Sequence, residues 1–240
     1  MSTLKSRIGR VLIPVLPVNR RMFDILRHEL RALATRCGNG LSPRYHRTVA
    51  RLRAERDLSI NLGSGGRGLE DWVNVELLPA VDTTLCLDIR RRLPFADGSA
   101  RRIFAEHVVE HLDFKEDVPR LFAEFHRVLR PGGVVRIIVP DAERFLKAYA
   151  SGDDDLWKAL GWDLQNLPDD IFTAMHAVNH IFHQSGEHLF AYDFETMGVM
   201  LRRAGFGEVS RRAYGESGDE KLAIDQDNHA PYSLYVEAVR

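Results

Sequence analysis

The sequence is poor in cysteine and has no long uninterrupted apolar run. Cys37 and Cys86 are its only cysteines in 240 residues, too few for a disulfide framework and too far apart for a paired-ligand metal motif. The longest apolar run near the start, residues 11–18, is broken by Pro14 and Pro17 and falls well short of the roughly 20 residues that a membrane span needs. These absences favour a protein of a reducing compartment, without disulfides or a spanning helix.

The small net charge of the chain conceals a strong asymmetry. The formal net charge is −1, yet residues 1–56 carry 13 Lys and Arg against 3 Asp and Glu, a net charge of +10 that leaves −11 for the rest. Residues 1–57 are therefore predicted to form a basic arm ahead of one domain at 58–240. The arm is predicted to be helical up to a break at residues 38–40. Its apolar residues recur at helical spacing: Met22, Ile25, Leu26, Leu30 and Leu33.

Three roles remain open for this arm. Its apolar stripe packs on the domain while its arginines face water, or residues 11–18 and the arginines rest on an anionic membrane surface, or the arginines bind nucleic acid. Nucleic acid is the partner that we expect least. The expected location is the cytoplasm, with peripheral contact to the inner face of the membrane under the second alternative.

From residue 58 onward, short apolar runs alternate with turns and helices, which is the pattern of a mostly parallel sheet. Residues 150–192 fit no regular element, and so long an insertion after the fifth strand is typical of a lid or a substrate-binding segment. The fold class predicted is α/β, with a Rossmann-like sheet flanked by helices. The predicted strands lie at 58–62, 72–76, 83–88, 102–105, 134–139, 209–212 and 233–238, with helices at 117–130, ended by Pro131-Gly132-Gly133, and at 194–204, stopped by Gly205.

The residues that follow each strand are the candidates for ligand binding, because ligands of an open parallel sheet lie beyond the carboxyl ends of its strands. The first strand is followed by Gly63-Ser64-Gly65-Gly66-Arg67-Gly68, which matches the dinucleotide motif G-x-G-x-x-G. That motif has to open a helix that holds a pyrophosphate, but only three residues separate Gly68 from the next predicted strand. A nicotinamide oxidoreductase is therefore disfavoured.

A nucleoside cofactor without phosphates fits these strand ends better. Its amino acid part can lie against glycine backbone, while the Glu76 carboxylate accepts both ribose hydroxyls. Asp88 is then expected to accept a hydrogen bond from the exocyclic amine of adenine, and Ile89 to pack on the ring. The alternative is that both acids only cap strand ends.

Five short motifs occur in order and carry a family resemblance: Asn61-Leu-Gly-Ser-Gly65, Asn74-Val-Glu76, Leu93-Pro-Phe95, Ala105-Glu-His-Val-Val-Glu-His-Leu112 and Leu129-Arg-Pro-Gly-Gly133. Together, over residues 58–139, they resemble the class I S-adenosylmethionine-dependent methyltransferases. Residues 192–195 and 204–206 extend the likeness towards the C-terminus.

The resemblance implies a seven-stranded sheet whose last strands are antiparallel, and S-adenosylmethionine as the cofactor. Two departures from the family pattern matter. Asn61 stands where many members carry an acid, so its contact with the amino acid end of the cofactor is expected to be weaker or water-mediated. The helix between the first two strands is missing, although a parallel crossover usually takes a dozen or more residues. By resemblance, the cofactor is contacted by Gly63, Ser64, Gly65, Glu76, Asp88 and Glu106.

Histidines are the candidates for acting on the acceptor. A hydroxyl acceptor needs a base to remove its proton as it attacks the methyl group. His107 lies by resemblance near that methyl group, although a turn-shaping role is equally open, and His111 is expected to be structural. Residues 186–188 resemble a segment of bacterial methyltransferases found among glycan-assembly enzymes, and His188 is our first choice for the base.

Three further histidines of the insertion, His176, His180 and His183, recur on one helical face, and such a stripe can bind zinc. No carboxylate or cysteine stands at a supporting spacing, so we predict solvent-facing or substrate-facing histidines and no metal.

The predicted function is S-adenosylmethionine-dependent methylation of a small-molecule or saccharide acceptor, as O-methylation of a hydroxyl on a glycan precursor. The first alternative is an RNA methyltransferase, since the basic arm can neutralise phosphates. Against it, the turn after the fourth strand reads Ala105-Glu-His-Val and not the Asn/Asp-Pro-Pro-Tyr run that is typical of base-amine methylation. The second alternative is a non-catalytic cofactor-binding or scaffold protein. The sequence leaves the oligomeric state open.

Overall fold

A single seven-stranded sheet organises the chain. The computed structural model describes residues 20–152, 154–161 and 173–240, so the apolar run at 11–18 lies outside the described residues. The strands are Leu58–Leu62 (β1), Val73–Glu76 (β2), Leu85–Cys86 (β3), Ala100–Glu106 (β4), Leu129–Pro140 (β5), Glu208–Arg212 (β6) and Ser233–Val239 (β7). Their order is β3-β2-β1-β4-β5-β7-β6, and β7 runs antiparallel to both its neighbours while the other pairs are parallel. The predicted Rossmann-like, mostly parallel α/β fold is confirmed.

The strand placed after the glycine turn is confirmed, and so is the absence of a helix before it. Strands β1 and β2 are parallel neighbours, with Ile60 opposite Val73, although the connection at 63–72 contains no helix. Burial explains the pairing, because Ile60, Leu62 and Val75 are fully buried in the core of the sheet.

Helices cover the sheet. The helices are Arg20–Leu41 (α1), Pro43–Ala54 (α2), Asp117–Val128 (α3), Ala142–Ser151 (α4), Asp155–Ala159 (α5), Ala174–His183 (α6) and Phe194–Arg203 (α7). Helix α3 buries Leu121, Phe122 and Phe125 in the main core. No helix among the described residues combines the length and the apolar content needed to cross a bilayer.

The predicted end of α3 is wrong. Helix α3 stops at Val128, and the Pro-Gly-Gly run lies inside β5, in an irregular stretch between the pair Ala100–Leu129 and the regular pairing with β4 that begins at Val134. A Cβ atom at Gly133 would lie 2.9 Å from the carbonyl oxygen of Arg130 and 3.1 Å from that of Arg101. Glycine at 133 therefore serves the close approach of β5 to β4 as well as the turn that leads into it.

The predicted helix break at 38–40 is also wrong, because α1 continues through these residues to Leu41. The break falls at Ser42 and Pro43, where the Ser42 side chain accepts a hydrogen bond from the backbone N–H of Tyr45 and Pro43 begins α2. Helix α2 places Val49 and Leu52 in the main core, so this part of the arm packs with the sheet.

The apolar stripe of α1 faces solvent, contrary to the expectation that it packs on the domain. Ile25, Leu26, Leu30 and Leu33 are 49–56% exposed. A neighbouring face of the helix docks instead: Ala32 is fully buried, and polar side chains further along α1 donate to the carbonyl oxygens of Leu77, directly after β2, and of Cys86, at the end of β3. The polar residues of α1, and not its apolar stripe, hold the helix against the domain.

The insertion at 150–192 contains regular structure that the sequence did not predict. Helices α5 and α6 lie in it, and Trp157, Ala177 and Val178 form a second core with Phe145 and Ala148 of α4. The insertion is thus packed against α4, beside the carboxyl end of β5.

Candidate functional site

The turn after β1 presents bare backbone at the carboxyl end of the sheet. Gly63 and Gly65 have positive φ angles of 67° and 53°, which glycine adopts without steric cost. A Cβ atom at Gly63 would lie 2.2 Å from Cγ2 of Val108, which follows β4. Only glycine lets the turn approach Val108 in this way, and the result is a concave surface of main chain.

Two asparagines hold this turn in shape. The Asn61 side-chain amide donates to the carbonyl oxygen of Arg67 and to Oδ1 of Asn74, both at 3.0 Å. Asn74 also exchanges two hydrogen bonds of 2.9 Å with the backbone of Leu69. Asn61 is therefore committed to the turn through its amide, and its predicted contact with the cofactor stays a prediction.

Glu76 lies beside the glycine turn, where the sequence predicts it. Its Oε2 accepts a hydrogen bond of 2.9 Å from the backbone N–H of Gly65, and its Oε1 accepts one of 2.7 Å from Leu77. The side chain is half-buried, and each carboxylate oxygen retains a further lone pair. This carboxylate can therefore accept hydrogen bonds from two neighbouring hydroxyls.

A narrow cleft lies between the turn and the end of β4, lined in part by Ser64 and Gln226. Arg67 spans it, with Nη1 3.1 Å from Oε2 of Glu106 and Nη2 donating to the carbonyl oxygen of Ile224. The sequence did not single out Arg67. Its guanidinium places a positive charge in the cleft, next to the position expected for the amino acid end of a cofactor.

Glu106 is buried and receives several hydrogen bonds besides that of Arg67. Gln226 donates from its backbone and its side chain, and Nδ1 of His229 lies 3.0 Å from Oε1. Burial alone would raise the pKa of Glu106, but the donors from His229 and Gln226 outweigh it and hold the pKa below its usual value. The carboxylate is thus kept ionised at the cleft.

Asp88 is occupied by arginines. Its oxygens lie 2.9 Å from Nε of Arg90 and 3.3 Å from Nη1 of Arg36, which belongs to α1, while Arg90 also pairs with Glu29 of α1. Burial works to raise the pKa of Asp88, and the two guanidinium groups lower it below the ordinary value. The predicted bond from adenine to Asp88 would have to share the carboxylate with these arginines. That role and the stacking of Ile89, which packs partly on the main core, stay predictions.

His107 occupies a strained turn directly after β4, with a positive φ of 53°. Its Nε2 is 2.9 Å from Oγ of Ser233, and its ring centroid lies 4.0 Å from that of His229, with the two rings tilted by 43°. Its Nδ1 lies 3.0 Å from Oε1 of Glu110. Both ring nitrogens have close polar neighbours, which favours the turn-shaping role that the sequence left open.

The structure brings His188 of the insertion to the Glu110-His111 pair after β4. The His111 and His188 rings lie 4.9 Å apart, and Nδ1 of each contacts a backbone carbonyl, at 3.0 Å from Glu187 and 2.5 Å from Ile181 respectively. Burial lowers the pKa of His188 below its usual value. Within the described part of the chain, Glu110, His111 and His188 are the group of potential metal ligands that lie close enough to share one ion. The predicted stripe of His176, His180 and His183 is not such a group.

Sequence reasoning missed Glu110, which is 1% exposed. Burial works to raise its pKa, but the nearby His107 ring outweighs that effect and the pKa lies below its usual value. The sequence does contain a signal that could have pointed to Glu110. The Glu-His pair at 106–107 recurs at 110–111, which places two acids at the carboxyl end of one strand.

Comparison with known proteins gives one family and a set of structures. A family model described as a methyltransferase domain matches residues 70–137, and no curated protein matches the chain. A solved S-adenosylmethionine-dependent methyltransferase from Archaeoglobus fulgidus is similar at 15% identity, covering 82% of this chain and 91% of its own, with a TM-score of 0.46. The 1,6-didemethyltoxoflavin-N1-methyltransferase of Burkholderia thailandensis, solved with that substrate and S-adenosylhomocysteine, is similar at 12% identity, covering 94% of this chain and 91% of its own, with a TM-score of 0.45. A Mesorhizobium loti S-adenosylmethionine-dependent methyltransferase is similar at 17% identity, covering 85% of this chain and 100% of its own, with a TM-score of 0.46.

The matched segment runs from the end of the glycine-turn connection through β2, β3, β4 and α3 into β5. It contains four of the five motifs on which the resemblance was drawn. Residues 70–137 therefore match a methyltransferase domain, in agreement with the predicted class of enzyme, an S-adenosylmethionine-dependent methyltransferase.

Proposed function

We propose that the chain methylates a small hydroxyl acceptor, a saccharide of a glycan precursor, with S-adenosylmethionine bound across the carboxyl ends of β1, β2 and β4. The observation that carries the cofactor placement is the Glu76 carboxylate, held by the backbone N–H of Gly65 at the rim of the glycine turn. In this placement Glu76 accepts the ribose hydroxyls, and Gly63, Ser64 and Gly65 face the amino acid part. The Arg67 guanidinium, which lies in the same cleft, pairs with the cofactor carboxylate.

The reaction is a direct displacement, in which an acceptor oxygen attacks the methyl carbon and sulfur leaves as the neutral thioether. Holding the three atoms in line in a water-poor pocket supplies much of the acceleration. An alcohol must also lose its proton as it attacks. His107 is committed to Ser233 and to Glu110, whereas Nε2 of His188 has no hydrogen bond among the described residues, so His188 is the better placed of the two predicted catalytic residues.

Methyl transfer from labelled S-adenosylmethionine to free and lipid-linked saccharides tests this proposal. The label should enter an ether that is stable to mild base, and His188→Gln should lower turnover while the affinity for cofactor stays as in the wild type. His126→Gln, at a histidine that packs against Gly205 far from the insertion, is the matched control. Transfer to RNA and not to saccharides would overturn the acceptor class. Wild-type turnover in His188→Gln would remove His188 from the reaction.

We also propose that α1 rests on an anionic membrane surface, where a lipid-linked precursor would be found. A solvent-facing apolar stripe on a helix of a segment with a charge of +10 is typical of an interfacial helix. Acidic headgroups complement that charge, and the acyl boundary takes up the apolar side chains. The expected location is then the cytoplasmic face of the membrane.

A further inference from the structure

Glu110 is a buried carboxylate whose one close polar neighbour, in the part of the chain that the structure describes, is the His107 ring. Its side chain is 1% exposed, and neither oxygen has an aligned hydrogen-bond donor among the described residues. The 3.0 Å approach of His107 Nδ1 brings a ring nitrogen close without that alignment. Buried polar groups are almost always satisfied, so two buried carboxylate oxygens without a hydrogen bond point to a ligand at this place.

Two imidazoles converge on this carboxylate from different parts of the chain. His111 comes from the same single turn as Glu110, and His188 comes from the insertion. Each histidine has its Nδ1 at a backbone carbonyl, which fixes the tautomer and leaves Nε2 as the free nitrogen. Metal-binding histidines are held in this way, with one ring nitrogen on an outer partner and the other on the ion.

We propose that Glu110, His111 and His188 bind a divalent transition-metal ion, and that the ion is zinc or one of similar preference. Two imidazole nitrogens and one carboxylate oxygen form the three-residue set of catalytic zinc sites, which keep a fourth position open for water or substrate. The three potential ligand atoms lie within 4.8 Å of one another. Ligand atoms around tetrahedral zinc are about 3.3 Å apart. Each side chain therefore has to move by little more than about 1 Å to close on the ion.

The surroundings supply the other requirements of such a site. His111 is exposed, which gives the ion a path from solvent, while Glu110 and His188 are buried. The ring of His107, beside Oε1 of Glu110, can orient the carboxylate from outside the ligand set. The insertion thereby acquires a defined contact with the turn after β4.

The metal site deepens the proposed function, since it gives His188 the role of ligand in place of that of free base. The open position would then hold the acceptor oxygen and lower its pKa, as metal ions do for bound water. Binding of the ion needs neither cofactor nor acceptor. A failed metal test therefore leaves the methyl-transfer proposal standing, and failed methyl transfer leaves the metal test interpretable.

The experiment is a titration of chelator-treated full-length protein with Co²⁺ and Zn²⁺, read by the visible absorption of bound Co²⁺ and by calorimetry. We expect one ion per chain, with the intense bands of four- or five-coordinate Co²⁺, displaced by Zn²⁺. Outer partners of metal ligands contribute roughly 10–100-fold to affinity. Loss of a ligand, in Glu110→Gln or His111→Ala, should weaken binding by at least about 100-fold.

Two features of the design keep the test decisive. His111 is exposed, so His111→Ala should fold even if Glu110→Gln does not. The triple substitution of His176, His180 and His183 to Ala is the control, since it removes the competing stripe, and it should bind Co²⁺ as the wild type does. The proposal is overturned if the wild type binds neither ion, if His111→Ala binds as tightly as the wild type, or if the stripe variant loses the site.

Discussion

Asn61 of β1 and Asn74 of β2 are joined by a buried hydrogen bond of 3.0 Å from Nδ2 of Asn61 to Oδ1 of Asn74. The same asparagines bind the backbone at Arg67 and Leu69, so the pair fastens the C-terminal end of the glycine turn to two neighbouring strands. Parallel strands are usually connected through a helix. The connection from β1 to β2 has no helix, and two side-chain amides hold it in place instead.

Asn61→Asp should therefore destabilise the fold, although many proteins with similar motifs carry an acid at this position. A carboxylate at 61 cannot donate to the two acceptors that it would face, Oδ1 of Asn74 and the carbonyl oxygen of Arg67, so both hydrogen bonds would be lost. We expect a loss of about 1–3 kcal/mol in the free energy of unfolding, measured with urea. Asn228→Asp, at an exposed residue, is the control and should stay within about 0.5 kcal/mol of the wild type. Equal free energies of unfolding for Asn61→Asp and Asn228→Asp would show that the hydrogen bonds of Asn61 do not stabilise the fold.

Gly63→Ala should disrupt the turn, and Gly66→Ala should not. Alanine at 63 has an unfavourable positive φ and a Cβ atom that would lie 2.2 Å from Val108, whereas a Cβ atom at Gly66 meets nothing within 4 Å. Strain of this kind costs about 1–3 kcal/mol, and overpacking adds to it. Urea unfolding and calorimetric titration of S-adenosylhomocysteine should both show a defect in Gly63→Ala alone. A defect of the same size in Gly66→Ala would contradict the geometry of the turn.

Asp88→Asn should loosen α1 from the domain. The carboxylate binds Arg36 of α1 and Arg90, which in turn binds Glu29 of α1, so its charge holds the helix from two sides. Hydrogen bonds to charged groups contribute about 1.5–3 kcal/mol, and local opening of α1 should become easier by that amount. The rate of amide hydrogen exchange over residues 20–41 measures the free energy of this local opening.

The same contact should depend on pH. Since the folded pKa of Asp88 lies below its ordinary 3.8, the stabilisation is complete above that value and is lost as the pH falls through the lowered pKa. Protection of α1 in the wild type should fall in that acid range, while Asp88→Asn should show the weak protection already at neutral pH. Asp154→Asn, at an exposed residue without a capping bond, is the control. Unchanged exchange in Asp88→Asn would mean that α1 is held by other contacts.

If α1 rests on a membrane, the charge of the arm and the apolar area of its stripe should each contribute to vesicle binding, and the two contributions can be measured separately. The double variant Leu26→Gln, Leu30→Gln removes two exposed leucines from the stripe, and each buried leucine contributes about 1.5–3 kcal/mol. Binding to vesicles that contain anionic lipid should fall by at least about tenfold, and the wild type should bind purely zwitterionic vesicles weakly. Val81→Gln, at an exposed apolar residue outside the stripe of α1, is the control. Equal vesicle binding by all three proteins would remove the membrane from the account.

The sequence predicts the sheet better than the surfaces that surround it. Strand periodicity and the rule that ligands lie at the carboxyl ends of strands led to Gly63, Gly65 and Glu76, because those features are local. Which face of α1 docks could not be foreseen, since its polar residues bond to loops far along the chain and outweigh the apolar stripe. Glu110 was missed for a related reason, because its burial and its approach to His188 arise only once the insertion has packed.

Calorimetric titration with S-adenosylhomocysteine measures whether a nucleoside binds at Glu76. We expect one site per chain in the wild type, no binding of NAD, and an affinity lower by roughly 10–150-fold in Glu76→Gln, the equivalent of one charged hydrogen bond. Glu70→Gln, at an exposed acid in the same connection, should bind as the wild type does. Wild-type affinity in Glu76→Gln, or binding of NAD in place of S-adenosylhomocysteine, would contradict a nucleoside site at Glu76.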